Sequence, residues 1–308
     1  MQTLKRLVFI TVTSISIAIT CSGSSRIQTV QFQSQLIGTT LPYNVILPPD
    51  YDASPTTRYP VLYLLHGLKG HYVDWVTRTN LADYAGRYSM IVVTPEGNDS
   101  WYVDSEQNEK DKYESYLLKE LIPDVQQRFR TVEARYGRAI AGLSMGGYGA
   151  IKFGLKSPGT FVFAASMSGA FGAPHFTEKE ATASGWQPSL QVFGPIGSEA
   201  RKANDIFEII SSLSITRVTA LPFFYFDYGT EDSPLIVTYN RELAALMLDK
   251  KIPHEFRELP GDHSWGYWDR QVREVLRLAA EKMRLPHSSQ NSATTVLKNK
   301  RKPREAVA

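Results

Sequence analysis

Gly142-Leu143-Ser144-Met145-Gly146 sets one hydroxyl between two residues that have no side chains. A serine held this way can attack a carbonyl carbon, provided that a base takes its proton and N–H donors receive the oxyanion. The neighbouring sequence fits that use. The apolar run "GRAIAGL" precedes Ser144 and the helical "GGYGAIKFGL" follows it, the strand–turn–helix context that a G-x-S-x-G nucleophile requires. Such a turn pushes the hydroxyl clear of the sheet, so side chains at the flanking positions would collide. Gly147, Gly149 and Ala150 let the helix pack close, with its N-terminal N–H groups near the site.

The base and the acid must come from elsewhere. On this type of elbow they follow in the order Ser, Asp or Glu, His. Of the six histidines, His66 and His71 come before Ser144, and His175 precedes any suitable acid. His254 lies inside a strand pattern and His287 in the C-terminal stretch. His263, in the Gly/Asp loop of "LPGDHSWGYWDRQVREVL", is the expected base. Asp232 stands past the turn that follows "LPFFYFDY" and is favoured as the acid over the in-strand Asp227 and over Glu231. A carboxylate beyond the strand end can reach the imidazole Nδ1; the competing role for Asp232 is a helix N-cap. The oxyanion donors are expected to be the amide of Met145 and that of Leu68, in the loop closing "LYLLHGLKG", with His66 supporting the loop.

Those residues need a frame. "RIQTVQFQSQL" and "TLPYNVILP" alternate polar and apolar residues, as strands with one wet face do. "VLYLLH", "SMIVVTP", "RAIAGL", "FVFAAS" and "LPFFYFDY" are short and almost wholly apolar, as strands buried on both faces are. Helical stretches such as "YESYLLKELIPDVQQRF" and "SPLIVTYNRELAALMLDK" lie between them. The alternation predicts an α/β architecture with a mostly parallel central sheet and helices on both faces. Phe171 to about Ser214 interrupts the pattern as a lid-like insertion. All five tryptophans fall in connections or element ends. Trp101, Tyr102, Trp186 and Trp265 are the expected substrate contacts, suited to an aryl group or a sugar ring.

The ends of the chain have a different character. Residues 1–24 carry Lys5 and Arg6 ahead of the apolar "LVFITVTSISIAI", which predicts a signal peptide and export to the periplasm or beyond. Read as a lipobox, "AITC" makes the single cysteine, Cys21, a lipid anchor to the membrane; cleavage near Gly23 or Ser24 removes it instead. Residues 286–308 hold five basic side chains against one acid and read as a disordered basic tail. The domain between, residues 25–285, is left mildly acidic, which argues against nucleic-acid binding. No HExxH, paired-cysteine, EF-hand or dinucleotide pattern occurs, so neither metal nor cofactor is expected.

In order along the chain, "YPVLYLLHGLKG", "IAGLSMGGYGA", "YGTEDSPL" and "GDHSWGYW" resemble the blocks of an esterase family. It includes esterase D, S-formylglutathione hydrolases, feruloyl esterases and the mycolyltransferases, and the resemblance runs from about residue 27 to 284. It implies an α/β-hydrolase fold, with Ser144, Asp232 and His263 as a triad and the Leu68 and Met145 amides as oxyanion donors. The implied activity is hydrolysis of carboxylic esters, with short-chain acyl, aryl or carbohydrate-linked groups such as feruloyl or acetyl, through an acyl-enzyme. Two alternatives stand beside it: an acyltransferase of the mycolyltransferase type, and a non-catalytic binding protein on a hydrolase scaffold. Gly146 departs from the alanine usual in mycolyltransferases.

Overall fold

The computed structural model describes residues 26–185 and 188–283. Residues 1–24, read above as a signal peptide and including Cys21, the basic C-terminal stretch 286–308 and Trp186 lie outside the described residues. Eight strands form one mixed sheet: β1 (Arg26–Gln33), β2 (Thr40–Leu47), β3 (Val61–Leu65), β4 (Ile91–Pro95), β5 (Arg138–Leu143), β6 (Phe163–Met167), β7 (Phe223–Gly229) and β8 (His254–Leu259). Their spatial order is β1-β2-β4-β3-β5-β6-β7-β8. Strands β3 to β8 pair in parallel, while β1 and β2 pair antiparallel with each other and β2 antiparallel with β4.

Strand periodicity divides the core in two. Val61, Tyr63 and Leu65 of β3 face one apolar layer and Leu62 and Leu64 the other, as alternate residues of a pleated strand must. The first layer holds the helix Met145–Lys156, the second the C-terminal helix Trp265–Lys282. Helices therefore cover both faces, as the apolar runs require. The wet alternation expected at the N-terminal edge is present in β1, where Val30 is the one buried residue. The segment after β6 forms several short helical turns, and Phe171, Phe193, Ile206 and Ile210 join the first core layer. This insertion is welded to the domain by its own apolar residues.

Topology places the site. From β3 the chain crosses to β4 on one side, and the later β5 lies on the other side of β3. Such a reversal opens a crevice beyond the carboxyl ends of the two inner strands. The loop after β3 and the turn after β5 both end there.

Candidate active site

Ser144 stands between the end of β5 and the helix Met145–Lys156, as that helix's N-cap residue, with φ 51° and ψ −116°. A non-glycine residue there carries strain of about 1–3 kcal/mol and needs fixed surroundings. Its N–H donates to the Met167 carbonyl at 2.9 Å, and its carbonyl accepts from Tyr148 and Ala170. The glycines are required by close approach. A Cβ on Gly142 would stand 2.4 Å from the Gly146 backbone, and one on Gly146 2.5 Å from the His66 carbonyl oxygen. No flexible side chain is available to yield in either place.

His263 reaches this hydroxyl from the loop between β8 and the C-terminal helix. Its Nε2 lies 3.0 Å from Ser144 Oγ, and its Nδ1 lies 3.0 Å from each Asp232 oxygen. A carboxylate only accepts, so Nδ1 carries the proton and Nε2 faces the serine hydroxyl as acceptor. The Asp232 side chain is fully buried while a third of His263 is exposed. A turn closed by the Asp232 N–H to the Gly229 carbonyl sets the carboxylate past the end of β7. Asp232 Oδ1 also accepts from the Ser233 N–H, and Ser233 is the residue that caps the following helix. The N-cap role weighed for Asp232 thus belongs to its neighbour. On the other side, the Trp268 ring meets the His263 ring edge-on at 5.0 Å.

The loop after β3 runs past the elbow. A Cβ on Gly67 would stand 2.5 Å from Leu143 Cδ1 and 3.4 Å from Ser144 Cβ, so this glycine lets the loop reach the serine. The Gly67 carbonyl accepts from His66 Nδ1 at 2.8 Å and from the Gly70 N–H at 3.0 Å. In a trans peptide the N–H lies on the opposite edge from the carbonyl, which turns the Leu68 N–H away from both. Among the described residues, neither the Leu68 nor the Met145 amide donates to an acceptor in the protein. His66 is buried, with its Nε2 2.9 Å from the Gly97 nitrogen and 3.3 Å from Glu96 Oε1. Burial alone would raise the Glu96 carboxyl beside it. The His66 ring and the Asn98 and Tyr72 amides outweigh that and hold it at about 2.

Leu68, Ser144, His263 and Trp265 line one depression of about 300 Å³. Sequence reasoning missed the rest of its rim. Lys69, Arg78, Gly185 and Trp268 line it too, with the Arg78 guanidinium 5.6 Å over the Trp265 ring. Trp268 was open to inference, since it stands three residues after Trp265 and so shares its helix face. Two expected substrate contacts are corrected. Trp101 and Tyr102 are 0% and 2% exposed: Trp101 packs on Tyr148 and Phe193, and Tyr102 on Gly149 and Gly97. Two large rings just past a strand end gain more by joining the core than by lining a wet cleft.

Asp227 lies within β7, fully buried, and accepts from the Tyr225 hydroxyl at 2.7 Å and the Tyr267 hydroxyl at 2.8 Å. Burial raises its carboxyl to about 7, against the pull of those two hydroxyls and Arg257. It touches neither His263 nor Ser144 through any hydrogen bond among the described residues. No group of three His, Cys, Asp or Glu side chains among the described residues could hold a metal ion.

Comparison with known proteins places the chain among esterases. An acetyl esterase of Caldicellulosiruptor saccharolyticus is 31% identical over 217 residues, covering 68% of this chain and 79% of the relative. An esterase of Mycobacterium tuberculosis is 33% identical over 253 residues, covering 76% of this chain and 54% of the relative. The chain thus spans about half the length of the mycobacterial protein. Among solved structures, a ferulic acid esterase superposes with a TM-score of 0.74 at 25% identity, covering 85% of this chain and all of that one. The mixed sheet with helices on both faces is the α/β-hydrolase fold of these enzymes. Residues 34–278 match the esterase family model described as "Putative esterase", and the chain belongs to that family as a serine ester hydrolase.

Proposed function

We propose that the protein is an exported serine esterase that works through an acyl-enzyme on Ser144. One observation carries this reading: Ser144 Oγ, the His263 ring and the Asp232 carboxylate lie in a single hydrogen-bonded line with 3.0 Å steps. His263 Nε2 takes the hydroxyl proton as Oγ attacks the ester carbonyl. The Leu68 and Met145 amides receive the oxyanion. The imidazolium then protonates the leaving alcohol, and the neutral ring activates the water that releases the acid. Asp232 holds the proton on Nδ1 and stabilises the ring's transient charge.

The substrate is an ester with a small or flat acyl group. A depression of about 300 Å³ between Trp265, Trp268 and Leu68 suits an acetyl or aryl acyl group. The names of an acetyl esterase and a ferulic acid esterase among similar proteins support the same classes. Export rests on the basic and apolar character of residues 1–24.

The test is turnover of p-nitrophenyl acetate, p-nitrophenyl butyrate and methyl ferulate, with a fluorophosphonate probe mapped by peptide mass. The reading expects hydrolysis of at least one ester and the probe on the peptide containing Ser144. No turnover on any ester, or a label elsewhere, overturns it. The mature N-terminus of protein recovered outside the cytoplasm tests export, and an intact Met1 there contradicts cleavage.

A further inference from the structure

Tyr102 joins the parts of the site that must not move relative to one another. Its hydroxyl donates to the His66 carbonyl at 3.1 Å, and so holds the peptide that enters the Gly67–Leu68 turn. Its own carbonyl accepts from Lys152 Nζ at 2.5 Å, on the helix that starts at Ser144. Lys152 is fully buried and ion-paired with Glu114 at 2.8 Å. The Tyr102 ring fills the space left by two glycines. A Cβ on Gly149 of the same helix would stand 2.9 Å from it, and one on Gly97 2.4 Å.

The backbone here is held against its preference. Trp101 and Tyr102 have φ 54° and 53°, a region that bulky residues enter only when the surroundings over-determine them. The surroundings do so at both ends of Tyr102, through the His66 carbonyl and Lys152. The two peptides that precede the Leu68 N–H are then both fixed. Tyr102 holds the carbonyl of the first; His66 Nδ1 and the Gly70 N–H hold the carbonyl of the second.

We propose that Tyr102 is a positioning residue: it ties the His66–Leu68 loop to the nucleophile helix and so fixes where the Leu68 N–H stands relative to Ser144. This rests on the reading of Leu68 as an oxyanion donor. Loss of an oxyanion-hole donor costs about 10²–10³ in kcat. A donor left in place but loosened should cost less, and the cost should fall on the transition state while ground-state binding is spared.

The experiment measures Tyr102→Phe, Gly149→Ala and Ser144→Ala with p-nitrophenyl acetate, together with inhibition by a boronic acid, which forms a tetrahedral adduct on an active serine. Tyr102→Phe should lower kcat by roughly tenfold with KM within twofold. Its boronate affinity should weaken by a similar factor, and its melting temperature should stay close to that of the parent. Gly149→Ala pushes on the same ring from the helix side and should give the same split, which keeps the test open if one variant folds poorly. A folded Tyr102→Phe with kcat within twofold of the parent overturns the proposal. So does a loss that follows melting temperature or KM while boronate affinity is unchanged. Activity retained by Ser144→Ala refutes the serine mechanism instead, whatever Tyr102 does.

Discussion

Asp227 lies within β7 and Asp232 just past its end, and the chain treats their carboxyls in opposite ways. Asp227 is inside β7, closed in by Tyr225 and Tyr267, and burial lifts it to about 7. Asp232 is past the strand end, where it accepts from Ser233 and from the one imidazole that reaches Ser144. Both side chains are out of water, so burial does not separate them. Position relative to the end of the sheet does. A side chain inside the strand can meet only its sheet and helix neighbours, whereas one in the following turn can be aimed along the crevice.

Three changes would break or sharpen that contrast. Ser144→Ala sets the floor: the methyl fits the elbow, the fold persists, and kcat should fall by about 10⁶, the scale for removal of a nucleophilic serine. Steady-state turnover beside circular dichroism checks it, and retention of a tenth of the activity contradicts the assignment. Asp232→Asn keeps the shape but favours the wrong imidazole tautomer and removes the charge partner. It should cost about 10⁴ in kcat, by analogy with the same exchange in serine proteases. Asp227→Asn should leave kcat within tenfold, and the reverse ranking of the two variants would move the acid role to Asp227.

The smallest effect lies in the pH dependence of stability. With its folded value near 7 and an ordinary value of 3.8, Asp227 holds its proton more tightly in the folded chain than in the unfolded one. The stability this contributes is complete below about pH 4 and is lost as pH rises through 7. Asp227→Asn has no such group, so its melting temperature relative to the parent should climb between pH 4 and 8. Glu96 and Glu114, both held at about 2, have the opposite sign: their contribution is lost as pH falls below about 4.5. They act in both proteins and cancel in the difference. A flat difference would mean that Asp227 is not strained by ionisation.

Much of this was legible in the sequence because it rests on local pattern. Apolar runs announce the buried strands, and the strand before Ser144 with the glycines after it announce the elbow. His263 could be found by exclusion, since it alone stands in a loop after the last strand. What could not be read depends on residues distant in the chain. The fate of Tyr102 is decided by gaps left at Gly97 and Gly149 and by a buried Lys152, and that of Trp101 by Tyr148 and Phe193, none of which signals aromatic burial locally. Lys69 and Arg78 look like ordinary loop and helix-end cations until the C-terminal helix brings Trp265 beside them. The stretch "VDWVTRTNLADYAGR" forms two short helices, Asp74–Thr77 and Leu81–Ala85, with Thr79 between them donating to the Trp75 carbonyl and accepting from the Leu81 N–H.

Ser144 directly follows β5, which is flanked on both sides by parallel neighbours, but His263 hangs from β8, the last strand of the sheet. Among the described residues β8 pairs only with β7, and none of its own residues is buried. The two groups are 119 residues apart in the chain and meet at a single 3.0 Å contact. Edge strands with little buried surface open at lower free energy than the interior of a sheet. Brief fraying of β8 would disconnect the base while leaving the nucleophile and the core layers in place. Turnover is then expected to fall on warming before the far-ultraviolet spectrum changes, which parallel measurement of activity and circular dichroism against temperature checks.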